Sequence, residues 1–177
     1  MRLAALFGIL WLSQISYDYV AKYVRTNTAY DFENTVLPCT YNDKTVNINL
    51  VVHSSFDGEQ RQDIFRGVCT AVKAFRSCKY LRKHYARAKK LGTKEMTSLP
   101  LFIDIDNDVE IGRCGYTYRD TYGHIWLNPI AWRKDLCDTP AQVIFHEFLH
   151  HTNLPNHVYN GNKTDVIDKI THSCIKE

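Results

Sequence analysis

The side chains with the most chemical potential are His146-Glu147-Phe148-Leu149-His150, two imidazoles four positions apart with a carboxylate between them. Four residues is little more than one helical turn, so on a helix both rings leave nearly the same face and can aim nitrogens at one cation. Glu147 then lies beside that cation. Neutral imidazoles bind zinc well, and a catalytic zinc takes three protein donors with water in the fourth position. The pattern predicts one Zn2+ per chain, held by His146 and His150, with Glu147 as the general base acting on water. A third donor is then required, and downstream the candidates are His157, Asp165, Asp168, His172 and Glu177. His157 is the first choice, because the turn from Asn153 to Pro155 can bring it back over the metal. Asp165 is the alternative, a carboxylate at the start of a segment able to fold back as a helix. His151 points about a hundred degrees from His150 and is not counted as a ligand.

A helix must carry this pair, and the flanking residues specify one. Thr139 is an N-cap, Pro140 suits the first helical position, and Gln142 completes a capping box. Val143, Ile144, Phe148 and Leu149 supply an apolar face. Asn153, tolerant of the left-handed conformation, and Pro155 end the helix within about a turn of His150.

Upstream, Thr45–His53 alternates and is rich in β-branched residues, which predicts a strand. A long helix is expected from Glu59 to Leu91, with Phe65, Val68, Val72, Phe75, Cys78, Tyr85 and Ala88 as its packing stripe. Leu99–Asp106 reads as a second strand, Gly112–Arg119 as a third and Gly123–Asn128 as a fourth, directly before the metal helix. The acidic run Asp104, Asp106, Asp108 and Glu110 lacks the EF-hand pattern and reads as a solvated turn. Asp165–Cys174 reads as a short final helix. Tyr17–Cys39 has no clear period.

With 177 residues, 45% of them apolar, the chain is long enough for one domain with a sizeable core. Residues 1–16 read as a secretory signal peptide, with Arg2 before the apolar run Leu3–Leu12 and small residues after it, and an uncleaved membrane anchor is the alternative. That leaves a secreted catalytic domain, 17–177, with no later segment able to span a membrane. Six cysteines, at 39, 69, 78, 114, 137 and 174, suit up to three disulfides in an exported chain. A Cys69–Cys78 pairing is excluded if both lie on one continuous helix, where their α-carbons stand about 13 Å apart. Asn162-Lys163-Thr164 is a glycosylation sequon.

Charge is unevenly distributed. Ten cations and no acid fall from Arg66 to Lys94, and the remainder of the chain is net acidic. An anionic surface contact through this 66–94 helix is one reading; a solvated helix matched to its dipole, acidic at its start and basic at its end, is the other. No motif for specific nucleic-acid binding is present.

The stretch from Gly123 to His157 resembles the zincin metallopeptidases. His146-Glu147-x-x-His150 followed by Leu154-Pro155-Asn156-His157 is similar to the metzincin signature H-E-x-x-H-x-x-G-x-x-H. It departs from it in having Asn153 for glycine, the third histidine one residue late and no methionine after Met96. The aspzincins are the other subfamily considered, but their Gly-Thr-x-x-Asp element is absent. The resemblance implies an α+β zincin-like domain: a small mixed sheet, a long backing helix and an active-site helix. It also implies an endopeptidase that adds an extended peptide substrate to a sheet edge near Gly123–Asn128, with His124 and Trp126 available to line the cleft and Tyr159 or His124 as an oxyanion donor. Two other functions fit the same residues: a cell-wall amide hydrolase, and a non-catalytic secreted module that binds zinc for structure.

Overall fold

A two-residue turn sets the start of the sheet. Asn42 and Asp43 both take positive φ, 46° and 58°, the conformation of a tight hairpin turn and one that short Asn and Asp side chains accept. The computed structural model describes residues 32–98, 100–106, 113–118, 123–132, 136–154 and 166–175. The chain divides at Phe32/Glu33, and apart from Phe32 all described residues belong to the second unit, Glu33–Glu177. Its strands are β1 (Phe32–Tyr41), β2 (Lys44–His53), β3 (Leu101–Ile105), β4 (Gly115–Tyr116) and β5 (His124–Leu127). Its helices are α1 (Gly58–Ser77), α2 (Lys79–His84), α3 (Ala86–Ser98), α4 (Pro140–His150) and α5 (Val166–Cys174). The expected signal peptide lies outside the described residues.

The five strands form one mixed sheet in the order β1-β2-β3-β5-β4. β2, β3 and β5 run parallel, with Leu50 opposite Leu101 and Ile103 opposite Ile125. β4 closes antiparallel on β5, Gly115 opposite Leu127. The α+β class with a mixed sheet is therefore as expected, while a zincin-like domain is not established by it. Two details differ from expectation. β5 lies inside the sheet between β3 and β4, so the edge beside the metal-motif helix is β4. Part of Tyr17–Cys39, read as aperiodic, is the edge strand β1, where Pro38 is tolerated because an edge needs no donor on its outer side.

Strand alternation separates two faces. Ile48, Leu50, Val52, Leu101, Ile103, Ile125 and Leu127 are buried in the core with α1 and α4. The reverse face carries Phe102, His124, Trp126 and Tyr116, whose rings form a continuous series of contacts.

The expected long helix is three. α1 begins on the Asp57 capping box with Gln60, then the chain bends at Cys78 (φ −59°, ψ 114°) and again at Tyr85 (φ −139°, ψ 50°). Neither position has a proline or glycine to announce a break. Cys78 is bonded to Cys174 on α5, and its Sγ accepts from Leu81 N at 3.5 Å, taking the place of an N-cap. A tertiary tie, absent from local pattern, ends the first helix. The third helix then runs beyond Leu91 to Ser98, with Gly92 giving Phe75 the room that a Cβ, 2.1 Å from the ring, would deny it.

Cys39–Cys69 staples β1 to α1, and Cys114–Cys137 joins the approach to β4 with the approach to α4. Cys69 and Cys78 are not paired with each other, as expected.

Candidate functional site

Helix α4 forms as its sequence dictates. Thr139 Oγ1 accepts from Gln142 N at 3.4 Å, Gln142 Oε1 accepts from Thr139 N at 3.0 Å, and Pro140 opens the helix. Val143, Ile144, Phe145, Phe148 and Leu149 bury one side. α1 receives that side closely: Gly67 faces Ala141 and Ile144, where a Cβ would come within 2.7 Å of Ile144 Cδ1. Phe75 meets Phe145 edge-on at 4.9 Å. Gly115 of β4 lies against Val143. The helix stops at His150, but not through a left-handed Asn153, since Asn42 and Asp43 are the non-glycine residues with positive φ among those described. Thr152 closes the end instead, its Oγ1 donating to Leu149 O at 2.6 Å.

With α4 so held, His146 Nε2 and His150 Nε2 face each other at 3.3 Å. The rings are steeply inclined, 65° between planes. On the other side of His146, Nδ1 lies 3.1 Å from Asp168 Oδ1 on α5. A hydrogen on Nδ1 donated to that carboxylate leaves the Nε2 lone pair turned toward His150. Two donors on a tetrahedral zinc, at the usual Zn–N distance of about 2.0–2.1 Å, stand about 3.3–3.4 Å apart. The separation therefore matches the edge of a zinc coordination tetrahedron, and it is also that of a hydrogen bond between the two rings.

Glu147 is buried between these histidines in sequence and 6% exposed. Burial pushes its carboxyl up to about 8; the Arg113 guanidinium opposes this and Asp168 adds to it. At neutral pH the carboxyl is thus mostly protonated.

His151 points away from the pair, as the helical angle requires. Its side chain is fully buried and paired with Glu95 of α3, while Gly123 N donates to Glu95 Oε1 at 2.8 Å. Thr117 Oγ1 donates to His124 O at 2.6 Å and is bonded to His151 Nε2. Glu95 had no signal in the sequence beyond being the acid that ends the basic run. His124 was a candidate cleft residue; its ring stacks on Trp126 with centroids 3.8 Å apart, and its Nε2 is 3.4 Å from Asp104 Oδ2. Both rings belong to the sheet face away from α4, because Ile125 between them and Leu127 after them enter the core. His124 is thereby removed as an oxyanion donor.

His157, Asp165 and Tyr159 lie outside the described residues. Of the five downstream donors, Asp168 is beside His146, and His172 is 3.6 Å from Asp138 in an exposed pair.

Compared with protein-family models, curated proteins and solved structures, the chain matches none.

The zincin resemblance is corrected accordingly. Among the described residues no group of three or more His, Cys, Asp or Glu is gathered so as to hold a metal ion. The physical reason is plain: an i, i+4 spacing on one helix guarantees two converging rings, and a third donor comes only from chain folded back from elsewhere. Arg113, one residue before disulfide-bonded Cys114, and Asp168 as a partner of His146 are the site neighbours that spacing did not identify.

Proposed function

We propose that this chain is a zinc-dependent hydrolase of peptide bonds, in which His146 and His150 bind the metal and Glu147 handles protons. The observation that carries the reading is the 3.3 Å approach of the two Nε2 atoms, with Asp168 at the opposite nitrogen of His146. Zinc, when bound, polarises a carbonyl and brings the pKa of its water toward neutrality. His157 is the proposed third donor and Asp165 the alternative, both from the chain following α4.

The roles of the protein groups follow from their surroundings. Asp168 fixes the tautomer and rotation of His146. Glu147 accepts a proton from the attacking water and passes it to the leaving amine. Its burial holds the carboxyl in a water-poor setting, where it is more basic than an exposed glutamate and retains the proton between the two transfers. Arg113 tempers that burial. Three disulfides suit a protein folded in an oxidising compartment, and secretion is part of the proposal.

The test is metal content together with chelator-sensitive cleavage of a denatured protein substrate. One zinc per chain is expected in the wild type and in Glu147→Gln, with turnover lost in the variant. His150→Ala should lose both. Full activity in Glu147→Gln, or no zinc in the wild type, would refute the reading.

A further inference from the structure

The basic stretch has a different meaning once the single helix is seen to be three. As one helix, acidic at its first turn and basic at its last, it would have agreed with its own dipole. The bends at Cys78 and Tyr85 keep that agreement in α1 and in the last turn of α2, which holds Arg82 and Lys83, and remove it from α3. α3 has no acid in its first turn and no base in its last, and Arg87 is its second residue. A cation at a helix N-terminus faces the positive end of the dipole and is unfavourable. Lys79, likewise, opens α2 without an acid in its first turn.

The cations are also aligned. On α2, Lys79, Arg82 and Lys83 fall at three- and four-residue steps, and on α3, Arg87, Lys90 and Lys94 do the same, so each helix bears them as one stripe. All six are exposed. No ion pair engages any of them among the described residues, whereas Arg61 and Arg66 pair with Glu33 and Asp63. Like charges three and four residues apart repel each other. The fold thus concentrates positive charge on two consecutive helices where, among the described residues, no carboxylate pairs with it and, at Lys79 and Arg87, the dipole opposes it.

We infer that α2 and α3 form a binding surface for a linear polyanion, specifically a sulfated polysaccharide. A bound chain of sulfates supplies counter-charge to the cations of each stripe. Single-stranded nucleic acid would additionally need open aromatic faces for its bases. The two tyrosines do not offer them, since Tyr80 and Tyr85 pack against the core; the exposed ring beside them is His84, 4.8 Å from Tyr80. Charge without stacking is what a sulfated glycan recognises. This inference stands independently of the metal site, since none of the six residues belongs to it.

The test uses the full disulfide-bonded chain and heparin as the probe, with single-stranded DNA and anionic lipid vesicles in parallel. Arg87→Gln/Lys90→Gln should weaken heparin binding about tenfold at moderate salt and flatten its dependence on salt. Lys44→Gln/Arg66→Gln, which removes the same charge elsewhere, should leave it within about twofold. Thermal unfolding separates this from damage, because taking cations off the α3 N-terminus should leave the melting temperature unchanged or raise it. Equal weakening by both double variants would reduce the effect to net charge and overturn the assignment. So would the absence of heparin binding by the wild type, or tighter binding to DNA or vesicles than to heparin.

Discussion

Glu147 links chemistry and stability through a single proton. In the metal-free chain its carboxyl is raised from 4.5 to about 8, so the folded state binds that proton more tightly than the unfolded state does. The sign follows: stability is greatest below the unfolded value and falls as pH rises toward 8, by roughly 3–5 kcal/mol in the limit. Glu147→Gln removes the dependence. Metal-free wild type and variant should melt alike near pH 4, and the variant should melt higher at pH 8.5 and above, as calorimetry across pH would record. Arg113 acts in the opposite direction to burial, so Arg113→Ala should push the glutamate further up and, on the proposed hydrolase reading, displace the acidic limb of the pH–rate profile to higher pH. In the proposed zinc site, Asp168 is a positioning residue for His146. Replacing it with Ala should weaken zinc affinity about 10- to 100-fold while far-UV circular dichroism stays unchanged; unaltered affinity in a competition titration would remove Asp168 from the site.

Helices α4 and α5 reach the site by different means. α4 is locally specified, and its Thr139 cap contributes about 1 kcal/mol, the loss expected in Thr139→Ala by denaturant unfolding. α5 brings Asp168 to His146 while tied by Cys174 to the junction of α1 and α2, across a sequence separation of 96. Replacing Cys78 and Cys174 with Ala should cost about 2–5 kcal/mol. If the tie also positions Asp168, zinc affinity should fall with it; a stability loss with full affinity would limit the disulfide to a scaffold role. α3 meets α4 through the buried pair of Glu95 and His151. Glu95→Ala removes the carboxylate that pairs with His151 Nδ1 and accepts from Gly123 N and should destabilise by about 2–4 kcal/mol, with Glu95→Gln retaining part of that by keeping an acceptor for Gly123 N.

For the whole molecule, the proposed zinc, if it binds only the folded state, stabilises it by mass action. A thousandfold excess of free zinc over its dissociation constant adds about 4 kcal/mol and should raise the melting temperature, reversibly on chelation. What determined this molecule locally was spacing: alternation in Thr45–His53, the capping box at Thr139 and the i, i+4 histidines were sufficient to specify β2, α4 and a pair of converging rings. These depend on neighbours within a turn or a strand, so the amino-acid order carries them directly. Sheet order was not legible, since β1 lacked period and β5 was placed at an edge instead of within the sheet. The bends at Cys78 and Tyr85 were hidden for a related reason, as a disulfide to Cys174 and packing against the core overrode local helical propensity. Asp168 beside His146, Arg113 near Glu147 and Glu95 against His151 join residues 22 to 56 positions apart. Such encounters cost chain entropy that only the assembled core repays, which is why tertiary structure alone decided them.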